Sequence, residues 1–351
     1  MNSNSQEDDD QFDRLPDALL LLIFNKLLDA KTLIRCLSVS KRFASLLPQI
    51  HTIFLPLPCF VPNPKPREIG FPIKVFKVLV NKLITKPIQF LHHVVSSKPH
   101  AAALNSNINS NHFLYYSPNE VLKNFKEVKT LRLEIPRLGC EMGFNGGDHS
   151  LLKWKAEFGE ELRSCIVLGA TSFQRQECEE HEEIRPPLTG EELQSRIIWT
   201  ISCLVSASMR HFLLKQIVGK LPMLQSVVIT DASKQGKLCM VEQQLVELRN
   251  SVKNSSSEAE ALESLLERTP IPNLCMKLWF VPEMELPASG FVMKGLTLVL
   301  IKPASERSIS ECDLLLGDLD GEDDEEKAVF GEAMREIVKR KMMFMIEMSS
   351  F

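Results

Sequence analysis

The stretch that decides the fold of the N-terminal part runs from Leu15 to Phe43 and reads LPDALLLLIFNKLLDAKTLIRCLSVSKRF. Pro16 suits the first turn of a helix, because its missing N–H and fixed φ cost nothing there. From Ala18 to Leu28 nearly every residue is apolar, and one helical face collects Leu15, Leu19, Leu22, Ile23 and Leu27. The pattern therefore predicts a helix that packs one face within the chain and another against a different protein.

Two more short helices follow in the pattern. Asp29 is a suitable N-cap for a helix over residues 30–37. Ser38 or Ser40 can cap a third helix, which ends before Pro48. Three short helices within about 50 residues bury little apolar surface, so we expect a partner to stabilise them.

In this order the features resemble the F-box family. The opening Leu15-Pro16, the apolar helix, Leu33, Cys36 and the closing Val39-Ser40-Lys41-Arg42-Phe43 match the family pattern, and the resemblance covers residues 12–55. F-box modules dock on a Skp-type adaptor of a cullin–RING ubiquitin ligase, and the resemblance implies that role here. The segment also resembles a plant F-box group in which the module precedes a long, divergent C-terminal region.

The resemblance also implies which side chains face the adaptor: Leu15, Pro16, Ile23, Leu27, Leu33, Cys36, Val39 and Phe43. Residues 14–47 carry six basic and two acidic side chains in a chain of net charge −4, a balance that suits an acidic partner through steering. Two alternatives stay open. In one, the helices are an ordinary helical hairpin inside one larger domain rather than a docking module. In the other, the basic charge is simply solvated and has no role in binding a partner.

The remainder of the chain predicts an α/β architecture. Strand-like segments begin near Val128, Leu162, Leu224, Leu274 and Met293. Helical patterns cover residues 117–125, 151–158, 190–219 and 239–266. Such alternation favours a largely parallel sheet. The residues just before some of these strands resemble parts of leucine-rich repeats. We therefore predict either a degenerate leucine-rich-repeat-like solenoid or a mostly parallel sheet with helices.

Composition then divides the chain into six segments. Six prolines lie within residues 56–72 and seven acidic residues within 317–326, which predicts a stiff linker and a solvated loop. The predicted segments are a disordered acidic N-terminus (1–11), the F-box (12–55), the proline-rich linker (56–72), an α/β substrate-recognition domain (73–316), an acidic disordered loop (317–326) and a C-terminal helix (327–351).

Several classes of protein are disfavoured. The first ten residues are polar and acidic, unlike a secretory signal, and no apolar run is long enough to predict a membrane span. The nine cysteines include no Cys-x-x-Cys pair, which indicates reduced thiols in a nuclear or cytoplasmic protein. The sequence shows no phosphate-binding glycine loop, nucleophile elbow or basic stripe interleaved with aromatic residues for nucleic acid.

We therefore expect a non-catalytic subunit without a cofactor or metal. The resemblance implies a substrate receptor of an SCF-type ligase, which docks on a Skp-type adaptor and presents an unknown protein substrate. One alternative is an adaptor-binding scaffold with no ligase role. Another is a hydrolase with a dispersed site that uses Asp148 and His149. Cys178 and His181 could hold zinc, but the sequence offers no second ligand pair at proper spacing.

Overall fold

Three short helices open the structure, a computed structural model that describes Phe12 and residues 14–57, 118–136, 150–175, 188–254, 268–305, 319 and 324–351. These helices are α1 (Asp17–Leu27), α2 (Ala30–Leu37) and α3 (Lys41–Leu46), and a 3-10 turn (Leu47–Gln49) follows them. The Asp29 carboxylate accepts the Thr32 N–H at 2.9 Å, and the Ser40 hydroxyl accepts the Phe43 N–H at 3.1 Å. The predicted N-cap at Asp29 is confirmed, and Ser40 rather than Ser38 caps the third helix.

The other described elements are the ten strands of one sheet and four further helices. Its strands are β1 (Thr52–Pro56), β2 (Thr130–Ile135), β3 (Leu151–Phe158), β4 (Leu162–Ala170), β5 (Ser172–Arg175), β6 (Ser226–Asp231), β7 (Gly236–Val241), β8 (Leu274–Leu286), β9 (Phe291–Pro303) and β10 (Phe344–Met348). The helices are α4 (Pro118–Leu122), α5 (Gly190–Val218), α6 (Glu242–Asn254) and α7 (Asp324–Val338). Across the sheet the strand order is β1-β2-β6-β7-β3-β4-β9-β8-β10, and β5 pairs with β9.

The predicted α/β class is confirmed, whereas the largely parallel sheet is wrong. Parallel pairing joins β1 to β2, β2 to β6 and β3 to β7, and the other six pairs are antiparallel. Short connections after β3, β6 and β8 return the chain as hairpins, which makes those neighbours antiparallel. Stacked repeats would place strands in chain order, so the described residues form a single mixed sheet rather than a repeat solenoid.

Residues 151–158, predicted as a helix, form strand β3 instead. Leu152, Trp154 and Ala156 belong to the main core, while Lys153 and Lys155 alternate with them. That period of two places alternate side chains on opposite faces of a sheet, and it outweighs the helical interpretation of a short apolar run.

The predicted C-terminal helix over residues 327–351 is two elements. Helix α7 ends at Val338, and β10 then pairs with β8. Three acidic residues at the start of α7, Asp324, Glu325 and Glu326, were expected in a disordered loop. They form the first helical turn, where the helix dipole favours negative charge.

Several other predicted boundaries move or lie beyond the described residues. The helix predicted over residues 239–266 begins only at Glu242, because the preceding residues complete β7. The acidic N-terminus, nearly all of the proline-rich linker and most of the acidic loop lie outside the described residues.

Two apolar clusters hold the sheet from its two faces. The larger cluster unites Leu20, Phe24 and Leu33 of the N-terminal helices with sheet residues such as Leu131 and Val227. The smaller cluster packs Phe330 and Ile337 of α7 against Trp279 and Leu298. The N-terminal helices therefore share a core with the sheet.

Helix α5 supplies much of the larger core. It opens with a capping box, in which the Thr189 hydroxyl accepts the Glu192 N–H and the Glu192 carboxylate accepts the Thr189 N–H. In the described residues this one helix is long and apolar enough to cross a membrane, contrary to the expectation from the sequence. Most of its apolar stretch is buried inside the protein, as in a core helix of a folded domain.

Candidate protein-binding surface of the N-terminal helices

Helix α1 presents apolar side chains on two sides. Leu20 and Phe24 point into the core, with 1% and 3% of their surface exposed. On the outer side the exposed apolar residues are Leu19, Leu22, Ile23 and Leu27, and Leu22 reaches 57% exposure. The two-faced helix predicted from the sequence is therefore present, and its outer face is an apolar surface of the kind that marks a protein interaction site.

The turn between α2 and α3 adds another exposed apolar residue. Val39 is 66% exposed and follows the last turn of α2. We call Leu19, Leu22, Ile23, Leu27 and Val39 together the outer apolar residues. Four of them lie on α1 and Val39 lies in the turn between α2 and α3, whereas Leu28 between α1 and α2 is half-buried.

The eight residues proposed to face an adaptor are divided by the structure. Exposed members are Pro16, Ile23, Leu27 and Val39, half-buried members are Leu15 and Cys36, and buried members are Leu33 and Phe43. The two buried side chains offer a partner almost no surface. Leu19 and Leu22 are exposed but were absent from that set, although the helical face in the sequence already placed them beside Ile23 and Leu27.

Phe43 has an internal role instead. Its ring centre lies 5.0 Å from that of Phe24 and 5.9 Å from that of Phe12, and both contacts are edge-to-face. Such aromatic pairs are favourable beyond the area they bury. Phe43 therefore holds α3 against α1 and against the residues that precede α1.

Arg42 fixes the start of α1. Its Nε and Nη2 donate to one carboxylate oxygen of Asp17, at 2.8 and 2.7 Å. Its Nη1 donates to the Phe12 carbonyl at 3.0 Å, and Nη2 also donates to the Leu15 carbonyl. Arg42, near the end of the stretch from Leu15 to Phe43, thus holds Leu15-Pro16 at its beginning in place through charge-assisted hydrogen bonds.

The N-terminal helices are attached directly to one edge of the sheet. Helix α1 ends at Leu27, and the next residue, Leu28, has a φ of 55° in the left-handed region. The Leu28 carbonyl accepts the Phe54 N–H at 2.8 Å. The Asn25 side-chain oxygen accepts the His51 N–H at 3.0 Å. The first bond pairs the Phe54 N–H on the outer side of β1, and both bonds orient the outer apolar residues relative to the sheet.

A buried histidine lies in the sheet domain, within a structural network. Because the Gly159 carbonyl can only accept, His211 Nε2 carries the proton and donates to it at 3.0 Å. Nδ1 then accepts from the Thr269 hydroxyl at 2.8 Å, and the ring stacks on Phe158 at 4.4 Å. Burial, chiefly, together with the nearby charge of Lys215, lowers the pKa of His211 to about 3, so the ring is neutral at physiological pH.

A buried ion pair joins α5 to the β6–β7 hairpin. Arg210 Nη2 donates to the Asp231 carboxylate at 2.6 Å, and the guanidinium lies 4.4 Å from the Trp154 ring centre. Burial opposes ionisation of Asp231. The charge of Arg210 and hydrogen bonds from Ser233 and Gln235 outweigh it, so the pKa of Asp231 is lowered. Both groups take part in structural contacts, which gives no support to a catalytic role.

The other candidate sites from the sequence are not tested by the structure. Asp148, His149, Cys178 and His181 all lie outside the described residues. Within the described residues, no group of three or more His, Cys, Asp or Glu side chains is placed to hold a metal ion.

Comparison with known proteins identifies the family of the N-terminal helices and finds relatives of nearly the whole chain. A family model described as F-box-like matches residues 12–52. The chain is 37% identical to the F-box protein At4g18380 of Arabidopsis thaliana, covering 97% of this chain and 94% of that protein. It is 34% identical to the F-box protein At5g46170 over the same shares, and 32% identical to the F-box protein AUF2 over 97% and 100%, both of Arabidopsis thaliana. No solved structure matches the chain.

Proposed function

The chain belongs to the plant-type F-box proteins, and from that membership we propose that it is a substrate receptor of an SCF-type cullin–RING ubiquitin ligase. One observation carries the proposal: the outer apolar residues of the matched segment are exposed although the module also contributes to the common core. An apolar face left in water costs free energy, at roughly 25 cal/mol per Å², that a protein partner would recover. The partner would be a Skp-type adaptor, as is general for F-box modules.

In this role the chain performs no bond chemistry. F-box proteins are in general non-catalytic adaptors, and a receptor acts by raising the effective concentration of its substrate near the conjugating enzyme. The attachment of α1 and α2 to β1 supports such a role, since it would fix the orientation of a substrate-binding sheet domain relative to the adaptor. The substrate would be a protein, which the chain would bind in the nucleus or the cytoplasm.

The proposed contact set follows from exposure. Pro16, Ile23, Leu27 and Val39 would touch the adaptor directly, with Leu15 and Cys36 at the margin. Leu19 and Leu22 join them because they lie on the same outer side of α1. Leu33 and Phe43 would act from within, by holding the three helices in the arrangement that binds.

The test is the binding of purified full-length chain to a Skp-type adaptor, measured by calorimetry. We expect Leu22→Asp/Ile23→Asp to weaken binding about a hundredfold or more, since two charges would be buried in an apolar interface. Both side chains are exposed, so the melting temperature of the free protein should change little.

Val246→Asp is the matched control, because Val246 is an exposed apolar residue of a helix outside the N-terminal module. It should bind the adaptor as the wild type does. If the intact chain does not bind, the proposal is wrong. If the double variant binds like the control, the contact lies elsewhere on the chain.

A further inference from the structure

The exposed charges of the N-terminal helices are almost all of one sign. Six charged side chains are exposed within residues 14–47, namely Arg14, Asp17, Lys26, Lys31, Arg35 and Lys41. Five of them are basic, and the carboxylate of the one acidic member, Asp17, is bonded to Arg42. The other acidic residue, Asp29, is half-buried and caps α2. Both acidic groups therefore serve the structure of the module, and its surface is left basic.

Three of these basic side chains lie beside the outer apolar residues. Lys26 lies one turn after Leu22 on the outer side of α1. Arg35, in the last turn of α2, and Lys41, at the start of α3, flank Val39 in the chain. Among the described residues, none of the three bases forms an ion pair. We call Lys26, Arg35 and Lys41 together the basic border.

The two parts of the basic border are held near each other by Arg42. Its ion pair with Asp17, at 2.7 Å, fixes the first turn of α3 against the first turn of α1. Arg42 is half-buried and bonded to the module itself, so it does not count among the border residues. The exposed apolar side chains of α1 and Val39 thus belong to one surface that also carries the basic border.

We propose that the surface which binds the outer apolar residues has an apolar centre and carboxylate groups around it, and that these carboxylates face the basic border. The inference rests on the proposed function, because the partner is taken to be the Skp-type adaptor, and it adds the chemistry by which the adaptor is recognised. Protein interfaces commonly bury apolar side chains at the centre and keep charged groups at the rim. Rim charges act mainly on the rate of association, since they attract the partner before contact.

Charge also decides between the other possible occupants of this surface. A second copy of the module would place two basic borders against each other, and like charges across an interface repel. The chain itself carries an acidic run, Glu7-Asp8-Asp9-Asp10, shortly before the helices. Because this run complements the basic border in charge, the experiment has to separate it from the adaptor.

The experiment measures the association rate of the full chain with a labelled Skp-type adaptor by stopped-flow fluorescence. Raising the salt from about 0.1 M to about 1 M shortens the Debye length from about 10 Å to about 3 Å, so association of the wild type should slow about tenfold. Lys26→Glu/Arg35→Glu/Lys41→Glu should associate about tenfold more slowly at low salt and should speed up when salt is added. All three side chains are exposed, so the melting temperature should change little.

Arg335→Glu/Arg340→Glu/Lys341→Glu is the matched control. It changes the total charge by the same amount through exposed residues at the end of α7, which packs on the other face of the sheet. It should slow association far less than reversal of the basic border does. If the adaptor binds both triple variants at the same rate, the inference is wrong and the proposed function stands. A wild-type chain that binds no adaptor contradicts the proposed function itself.

Glu7→Gln/Asp8→Asn/Asp9→Asn/Asp10→Asn tests the acidic run as the occupant. If adaptor carboxylates face the basic border, this variant should associate at most about threefold faster than the wild type and should still slow down in salt. If instead added salt speeds association of the wild type, and the neutralised variant associates about tenfold faster at low salt, the chain's own acidic run covers the basic border. That result would overturn the proposal.

Discussion

At the scale of single residues, buried polar groups decide where this protein is sensitive to pH. His211 is neutral and hydrogen-bonded through both ring nitrogens, and the pKa of about 3 reflects chiefly its burial. Its ordinary pKa is 6.5, so the unfolded chain binds a proton at this position at higher pH than the folded chain does. Stability at this site is therefore complete above pH 6.5 and declines as the pH falls toward 3.

We predict that His211→Phe flattens this dependence. Between pH 7 and pH 5 the wild type should lose about 2 kcal/mol of unfolding free energy that the variant does not lose. The variant should be less stable at pH 7, because the Gly159 carbonyl loses its donor. Urea unfolding at the two pH values measures both effects.

Thr269→Val is the comparison variant for this prediction. It removes the hydroxyl that donates to His211 Nδ1 but keeps the imidazole. It should lower stability at both pH values and retain the slope. An unchanged slope in His211→Phe would mean that the ring is not buried in the neutral form.

At the scale of elements, close packing fixes the β6–β7 hairpin beside β3, with which β7 pairs in parallel. Gly236 at the start of β7 lies beneath Trp154, and a Cβ atom on it would come within 2.1 Å of the indole ring. The Asp231 carboxylate also accepts the Gly236 N–H at 2.9 Å, so the strand cannot move away without breaking a buried network. Glycine is required here by the approach of a neighbouring side chain rather than by φ.

We predict that Gly236→Ala destabilises the protein by about 2–3 kcal/mol, through displacement of Trp154 and of the Arg210 guanidinium stacked on it. Thermal unfolding compared with Gly190→Ala tests this, because a Cβ at Gly190 meets nothing within 4 Å. Equal melting temperatures for the two variants would contradict the packing described for the hairpin.

At the scale of the whole molecule, the N-terminal helices and the sheet form one cooperative unit. The larger core runs without a break from Leu20 and Phe24 to residues of β9 such as Ile301. F-box helices are often regarded as a separate module, and the sequence predicted that residues 12–55 form one. In the structure β1 follows the helices and pairs with β2 in the sheet. Residues of the helices and of both strands belong to the same core.

We predict that Leu20→Ala lowers the stability of the entire protein by about 2–5 kcal/mol, in a single transition that includes the sheet. Leu22→Ala, two positions along the same helix but 57% exposed, should have little effect on stability. Circular dichroism near 218 nm, where strands contribute roughly their strongest signal, would follow the sheet during melting. Two separate transitions in Leu20→Ala would show that the helices and the sheet unfold independently.

The sequence by itself determined the features that depend on neighbours along the chain. The cap at Asp29, the long helix α5 and the two-faced helix α1 follow from residue type and spacing, and so did the family. For the third helix the sequence left Ser38 and Ser40 open, and the structure places the cap at Ser40. These features are local, so periodicity and capping chemistry suffice to predict them.

Only the tertiary structure decided which strands pair and which apolar residues remain outside. The sequence predicted a helix at β3 and a single C-terminal helix, because short apolar runs carry no information about the partners that complete a sheet. It could not separate Leu33 and Phe43, which hold the helices together, from Ile23 and Val39, which face outward. Burial and edge exposure depend on contacts between residues distant in the chain, and those contacts exist only in the folded molecule.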